Sequence, residues 1–327
     1  MIEIATKVGR NALGAFLSQL ISGAYPLAAT FIFSRDLSTT EFTDVIRAEA
    51  IALIPYTVGL FSFEIDGIVL FGERTECERT VLVRDITAAR FMLFSTAAVV
   101  ALLVCETGHT SPRVNLALAC LATGFSLLNH QWVFLAAQRN LEFAGVIAVG
   151  RVPALAILLF TPFVSSARSA LLLTVCVTAT TAAVASALIA RTFRLQQGSP
   201  PVSVLRAVAL IRSGSTAFLG NLAGIGTREA GTLVIVLAGA SGTNLAAFTI
   251  AERLIKAIQV AFRPFNQLAI SKLAGSLASR PLTGAEVVTR VHIVARPHIS
   301  LAAGLGPRLP SNSVLACAWI SFFHCPT

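Results

Sequence analysis

The feature that most constrains the fold of this chain is the recurrence of apolar runs separated by short polar turns. An α-helix needs about 20 mostly apolar residues to cross the hydrocarbon core of a membrane. Eight runs approach this length, at residues 11–33, 43–63, 86–105, 115–137, 143–164, 169–190, 215–240 and 245–270. Charged residues make up only 13% of the chain, compared with about 25% in soluble domains. The sequence therefore predicts an all-α fold, a polytopic membrane helix bundle with about eight transmembrane helices.

The runs divide the chain into one complete lobe and part of another. We predict a first transmembrane lobe of six helices over residues 1–190, a cytoplasmic basic linker over 191–214, a partial second lobe of two helices over 215–275, and a poorly structured basic tail over 276–327. The linker contains Gln-Gln-Gly-Ser-Pro-Pro, which is typical of a loop. The tail is interrupted by Pro297, Pro307 and Pro310, and both a native tail and a shifted reading frame fit its composition.

The net charge of +9 is distributed mainly over one set of turns. If Met1 is cytoplasmic, the turns on the inner side hold Lys7, Arg10, Arg74, Arg79, Arg84, Arg139, Arg191, Arg194, Arg206, Arg212, Lys272 and Arg280. The turns on the outer side hold Arg35, Arg113 and Arg168. This asymmetry follows the positive-inside rule and predicts a multi-pass protein with its N-terminus in the cytoplasm. The same placement argues against a nucleic-acid-binding face.

Sequence motifs of enzymes do not occur in this chain. There is no HExxH, P-loop or GxSxG motif. The one acidic cluster, Glu73, Glu76 and Glu78, is interleaved with Arg74 and Arg79, so a self-paired turn is favoured over a magnesium–diphosphate site. We therefore expect no enzyme activity, no catalytic or metal-binding residue and no cofactor. An intramembrane glycosyl- or prenyl-transferase is the weakest of the alternatives.

The eighth run carries a polar stripe. Its residues follow a spacing of three and four and are Thr249, Glu252, Lys256, Gln259 and Arg263. The opposite side of the predicted helix is formed by Ile250, Leu254, Ala257, Ile258 and Ala261. Polar groups at membrane depth usually face the bundle interior or a watery cavity. A narrow stripe of this kind favours a cavity wall, and the alternative is an amphipathic helix lying on the membrane surface.

Other polar residues lie inside the remaining runs. Asn221 and Arg228 share a face of the seventh run, where Arg228 either contacts an anionic ligand or forms a structural ion pair. Arg151 in the fifth run is a candidate phosphate ligand, because its planar fork can bind two oxygens. Snorkelling of Arg151 to the interface is the alternative. Asp44 and Arg47 are one helical turn apart and favour an interfacial pair.

The stretch 128–140 places polar side chains between two apolar runs. Within it, Trp132 is predicted to be an interfacial anchor, and Arg139 marks a short charged turn. His130 could act as a proton site. A hydrogen bond from His130 to an Asn or Ser of another helix is the favoured interpretation.

Three segments carry a resemblance to a known family. In the first, Arg10 precedes Asn11-Ala12 and the run continues through Pro26 to Phe33. The second is Trp132-Val133-Phe134-Leu135-Ala136-Ala137-Gln138-Arg139-Asn140, followed by Arg151. The third runs from Phe248-Thr249-Ile250-Ala251-Glu252-Arg253-Leu254 to Pro264-Phe265-Asn266-Gln267. Over residues 5–275 the chain resembles the bacterial polysaccharide flippases, for O-antigen and exopolysaccharide, of the multidrug/oligosaccharidyl-lipid/polysaccharide exporter superfamily. Members of that family have two six-helix bundles, so the resemblance implies a truncated member.

The resemblance also implies a function. The substrate would be an undecaprenyl-diphosphate-linked oligosaccharide moved across the bacterial inner membrane, with membrane lipids, a polysaccharide polymerase and assembly proteins as further partners. Candidate contacts to the head group are Arg151, Arg228, Lys256, Arg263, Gln259 and Asn221. Glu252 and Asp44 are candidates for ion coupling or gating. A multidrug or small-solute exporter of the same superfamily is the alternative, and the excess of basic over acidic residues within the runs argues against it. A non-functional remnant is also compatible with the tail.

Overall fold

Helices form nearly all of the described part of the chain. The computed structural model describes residues 2–104, 113–161, 164–192, 203–239 and 242–258, all within one unit, Met1–Phe262. These ranges contain no strand and ten helices. The helices are α1 (Ile2–Asp36), α2 (Thr39–Leu60), α3 (Phe63–Glu73), α4 (Glu76–Val104), α5 (Arg113–Leu127), α6 (Gln131–Ala136), α7 (Asn140–Phe160), α8 (Ala167–Thr192), α9 (Val204–Leu237) and α10 (242–258). The predicted all-α fold is confirmed for these residues.

Five helical segments are long and apolar enough to cross a membrane. They are Gly9–Asp36, Glu78–Val104, Arg113–Ala136, Asn140–Phe160 and Ala167–Thr192. They coincide with the predicted runs at 11–33, 86–105, 115–137, 143–164 and 169–190. Large apolar side chains on their outer surfaces are exposed, for example Val104 on α4 and Phe160 on α7. Exposed apolar surface on helices of this length indicates a multi-pass membrane protein.

The other three predicted spans differ from these five. Helix α2 carries Glu41, Asp44, Arg47 and Glu49, and helix α9 carries Arg206, Arg212, Arg228 and Glu229. Placing a charged side chain at membrane depth costs roughly several kcal/mol of free energy unless the charge is paired or hydrated. Helix α10 covers only the first part of the run 245–270, because the described residues end at 258. The predicted tail, 276–327, therefore lies outside the described residues. Helix α9 begins at Val204, within the range predicted as linker, and residues 193–202 of that linker are also outside.

Close packing between helices depends on small residues. Helix α1 packs along α7, α5 along α8, and α2 lies against α4 and α5. A Cβ atom on Gly14 of α1 would collide with the backbone of Asn140 and Leu141 at the start of α7. A Cβ atom on Gly150 of α7 would collide with the Thr181 hydroxyl of α8. Small residues allow such approaches in membrane bundles, where packing itself drives association.

Two helices are interrupted where the sequence predicted continuous spans. Helix α2 ends before Phe61, whose φ is 48°, and α3 begins two residues later. Helix α5 ends at Leu127, and α6 begins after His130, whose φ is 51°. Positive φ is uncommon outside glycine, so tertiary packing must hold these two residues in place.

The short helices that follow the two breaks pack against each other. Trp132 of α6 is only 1% exposed, and its ring contacts Phe71 of α3 edge-on, with 6.1 Å between the centroids. A Cβ atom on Gly67 of α3 would lie 2.9 Å from the Trp132 ring. The prediction that Trp132 is an interfacial anchor is therefore wrong. Its indole belongs to the core because the breaks turn α6 back onto α3.

Helix α8 satisfies its hydroxyl groups internally. Thr174, Thr178 and Thr181 donate to the carbonyls of Ala170, Thr174 and Val177 at 3.0, 2.9 and 2.8 Å. Donation to the carbonyl four residues earlier is the usual solution for threonine inside an apolar helix. The backbone N–H of Ala167 at the start of α8 donates to the carboxylate of Glu41 on α2. A carboxylate is favoured there, because the N-terminus of a helix carries partial positive charge.

Candidate ligand cavity

A cavity with four charged residues in an otherwise largely apolar lining lies between α1, α2, α9 and α10. Its volume is about 290 Å³. The polar lining residues are Ser22, Glu49, Thr232, Thr249, Glu252, Arg253 and Lys256, and the others are Gly23, Pro26, Leu27, Ile46, Ala50, Leu53, Leu233 and Ala257. Four charged side chains thus share a small space inside a largely apolar bundle. Groups of this kind at membrane depth are functional candidates by default.

Helix α10 supplies one wall through a regular pattern. The lining residues of α10 share one face of the helix, because they lie three, four, seven and eight positions after Thr249; they are Glu252, Arg253, Lys256 and Ala257. The structure puts Thr249, Glu252 and Lys256 on the cavity wall, where the polar stripe predicted them. Ala257 was expected on the opposite side, and that expectation is wrong. The lining face is wider than the stripe, because it includes the positions that follow Glu252 and Lys256.

The far side of α10 is apolar and exposed. Leu254 is 47% exposed and Ile258 is 54% exposed. These two residues lie where the sequence placed them, opposite the polar stripe. Helix α10 therefore presents a charged face to the cavity and an apolar face outward.

Arg253 connects three helices across the cavity. Its Nη2 atom forms an ion pair with the Glu49 carboxylate of α2, and its Nη1 atom donates to the Thr30 hydroxyl of α1. The Pro26 carbonyl lies 3.5 Å from the same Nη1 atom. The side chains of Arg253 and Glu49 are 24% and 27% exposed, so neither is fully enclosed by the rest of the chain. A guanidinium that bridges helices in this way holds α10 against α1 and α2.

The second ion pair lies within α10. The Nζ atom of Lys256 is 3.0 Å from a carboxylate oxygen of Glu252, four residues earlier. The other oxygen of Glu252 accepts a hydrogen bond from the Thr232 hydroxyl of α9. The cavity therefore contains two cations and two carboxylates. The sequence predicted that bases would outnumber acids within the apolar runs. Among the described residues that line the cavity, bases and acids are equal in number.

Several predicted contact residues lie elsewhere or cannot be placed. Arg151 donates from Nη1 to the Ile21 carbonyl at 3.4 Å and lies 5.9 Å from the centroid of the Tyr25 ring. Arg151 and Asp44 are not among the described residues that line the cavity. Asn221 and Arg228 belong to α9, but their side chains are outside the described part, and Gln259 and Arg263 lie wholly outside it.

Sequence reasoning missed Glu49 and Arg253. Arg253 was noted only as part of a motif, because it lies beside the centre of the polar stripe. Glu49 was not singled out among the charges of the second run. The useful signal was the combination of an acid in the second run with a base in the eighth. Charges of opposite sign in two spans are expected to pair, since an isolated charge is costly there.

Sequence reasoning also missed buried charges on α4. Arg90 is 3% exposed and donates to the Leu127 carbonyl at 3.4 Å, where α5 ends. Its Nε and Nη2 atoms find no acceptor among the described residues. Asp85 is also buried and accepts from the Nε atom of Arg206 at 2.8 Å, which ties α4 to α9. His130 is buried near the end of α5, and its cross-helix hydrogen bond stays a prediction.

In the acidic turn between α3 and α4, the predicted pairing of interleaved charges is seen for Arg74 with Glu78, and Arg79 instead donates to the Phe71 carbonyl. Arg74 lies 3.4 Å from Glu78, which also accepts from the Thr75 backbone at 3.0 Å. The Arg79 guanidinium lies 4.9 Å from the centroid of the Phe71 ring. Within the ranges that the structure covers, no group of three or more His, Cys, Asp or Glu is arranged to hold a metal ion.

No family model, curated protein or solved structure matches the chain. The helix bundle and the charged cavity inside it are the features of this chain that bear on its function.

Proposed function

We propose that this chain is a multi-pass carrier that translocates an anionic, lipid-linked head group across the bacterial inner membrane. The class of substrate suggested by the resemblance is an undecaprenyl-diphosphate-linked oligosaccharide. The observation that carries the proposal is the placement of Arg253 and Lys256 on the wall of a cavity that α10 forms with α1, α2 and α9. The N-terminus is cytoplasmic in this proposal, and α2, α9 and the run 245–270 complete eight spans.

The chemistry of the cavity suits a diphosphate. A guanidinium binds two oxygens of a phosphate at once, and an ammonium adds a compact positive charge. The volume of about 290 Å³ lies at the lower end of the range for ligand sites, about 300–1,000 Å³. The cavity therefore accommodates the diphosphate end of such a ligand and not a whole oligosaccharide. In this arrangement the lipid tail stays in the bilayer while the head group contacts α10.

A second candidate is an exporter of small organic cations. The specific observation in its favour is the presence of Glu49 and Glu252 on the cavity wall, as many acids as bases. Carboxylates that exchange their partners for a cationic solute would serve such a carrier. The two candidates differ in which charges are indispensable: the bases for the flippase, and the acids for the cation exporter.

Complementation tests the proposal. The full chain is expressed in a bacterium that lacks its surface-polysaccharide flippase, and polymer is measured at the cell surface. We expect restoration by the wild type and loss with Arg253→Gln or Lys256→Gln. Arg212→Gln is the matched control, because Arg212 is an exposed arginine outside the cavity. Each variant is first quantified in the membrane fraction.

The opposite pattern would reject the proposal. Polymer at wild-type levels with both Arg253→Gln and Lys256→Gln would show that the cavity cations are not used. Efflux of ethidium that depends on Glu49 and Glu252, without restored polymer, would instead support the cation exporter.

A further inference from the structure

The guanidinium of Arg253 is already occupied by groups of the chain itself. It contacts a carboxylate on one side and a hydroxyl and a carbonyl on the other, from Glu49, Thr30 and Pro26. Carboxylate oxygens and phosphate oxygens bind the same donors of an arginine fork. We propose that the Glu49 carboxylate occupies the diphosphate site and must leave Arg253 before a ligand binds. This inference rests on the proposed function and names how its site is regulated.

The exposure of the pair makes such an exchange feasible. Glu49 is 27% exposed, and the cavity lies directly beside it. In this proposal the displaced Glu49 carboxylate is hydrated within the cavity, because an unpaired charge in an apolar environment would be very costly. Arg253 would exchange one anionic partner for another. The net cost of the exchange is small compared with that of uncovering a fully buried arginine.

The two ion pairs of the cavity respond differently to ligand. Lys256 and Glu252 belong to the same helix, so their pair persists wherever α10 moves. Arg253 and Glu49 belong to different helices, so their pair breaks when α10 separates from α2. A ligand that replaces Glu49 thus favours states in which α10 is released from α2. A ligand shifts a conformational equilibrium only through such a difference in affinity.

Binding measurements on the full chain test this inference. The chain is placed in phosphatidylcholine nanodiscs, and the dissociation constants of inorganic diphosphate and farnesyl diphosphate are measured. We expect Glu49→Gln to tighten binding about fivefold, because it removes a competing and partly exposed ion pair. We expect Arg253→Gln to weaken binding at least about tenfold, because it removes a charge-assisted contact. Glu76→Gln is the control, since Glu76 is exposed at the start of α4 and outside the cavity.

The two probes separate the sources of the diphosphate. Equal tightening for both shows that the diphosphate alone displaces Glu49. Tightening for farnesyl diphosphate alone supports displacement by a lipid-linked diphosphate. A second measurement uses only the wild type: addition of the effective probe should accelerate amide hydrogen exchange in α10 relative to α5.

The failures are distinguishable. Unchanged or weaker binding by folded Glu49→Gln, with Arg253→Gln still defective, overturns the regulatory role of Glu49 and leaves the anion site intact. Unchanged hydrogen exchange in α10 at saturating probe overturns it as well, even if Glu49→Gln does not fold. Absence of binding by the wild type and by every variant removes the anion site itself and, with it, the basis of the proposed function.

Discussion

Replacement of Gly14 by alanine tests how α1 packs on α7. A Cβ atom at this position would collide with the backbone of Asn140 and Leu141. Backbone atoms cannot rotate away as a side chain can, so one helix must move. The movement would also strain the hydrogen bond from the Asn140 amide to the Asn11 carbonyl, which is already 3.4 Å long.

The expected effect combines two opposing contributions. Overpacking of a tight contact costs about 1–3 kcal/mol. Alanine in place of glycine inside a helix contributes about 1 kcal/mol in the other direction. We therefore expect Gly14→Ala to lower the free energy of unfolding by about 1 kcal/mol, and Gly14→Leu by more. Gly9 on α1 and Gly145 on α7 have no atom within 4 Å of the corresponding position, so alanine there should stabilise by about 0.5–1 kcal/mol.

The assay is unfolding of the purified chain in mixed micelles, followed by circular dichroism as the proportion of denaturing detergent rises. The decisive quantity is the difference between Gly14→Ala and Gly145→Ala, which should be about 2 kcal/mol, or more than tenfold in the unfolding equilibrium. Equal stability of these two variants would refute the close approach of α1 to α7.

Three further predictions concern buried or paired side chains. Trp132→Ala should lower the free energy of unfolding by about 4 kcal/mol in the same assay, because the indole is 1% exposed. A decrease of less than about 1 kcal/mol would contradict its burial and favour an interfacial position. Glu41→Gln should cost about 1 kcal/mol, since the carboxylate accepts from the Ala167 N–H at the start of α8; no change would show that this contact is unimportant. Arg206→Gln should cost about 3 kcal/mol, because it leaves the Asp85 carboxylate, which is 5% exposed, without this ion pair. Asp85→Asn should cost about 1 kcal/mol, because the Arg206 side chain that it leaves behind is 44% exposed. Equal losses of the free energy of unfolding would contradict this asymmetry.

Hydropathy predicts the apolar helices of this fold because it depends on local composition. A helix in contact with lipid needs about 20 mostly apolar residues, and each run meets this requirement through its own composition. The five apolar spans lie where the runs predicted them. Helices α2 and α9 lie outside this set because their charges interrupt the apolar window.

The helix breaks were not predictable in the same way. Neither Phe61 nor His130 is a glycine or a proline, and the one local turn signal is Asn129, whose Oδ1 atom accepts from the backbone N–H of Gln131 at 3.2 Å. Their positive φ angles depend on contacts with distant residues, such as the stacking of Phe61 on Phe218 at 4.5 Å. A break of this origin leaves little local signal, so the burial of Trp132 that follows from it was missed too.

The candidate cavity was predictable on one helix only. A spacing of three and four residues identified Thr249, Glu252 and Lys256, because periodicity belongs to a single helix. The pairing of Arg253 with Glu49 joins residues 204 positions apart, and no spacing rule reaches that far. The balance of charge in the cavity therefore emerged only from the fold.

The threonines of α8 have a consequence for motion within the membrane. Since Thr174, Thr178 and Thr181 donate to carbonyls of their own helix, these hydroxyl bonds do not tie α8 to its neighbours. A shift of α8 against α5 would leave these three bonds intact, whereas the Ala167 N–H at its start holds it to Glu41 of α2 and Thr181 packs closely on Gly150 of α7. Helix α10 must give up the Arg253 ion pair before it moves away from α2. Polar resistance to helix motion is thus placed at a few contacts between helices, such as Glu41 with the start of α8 and Glu49 with Arg253 beside the cavity.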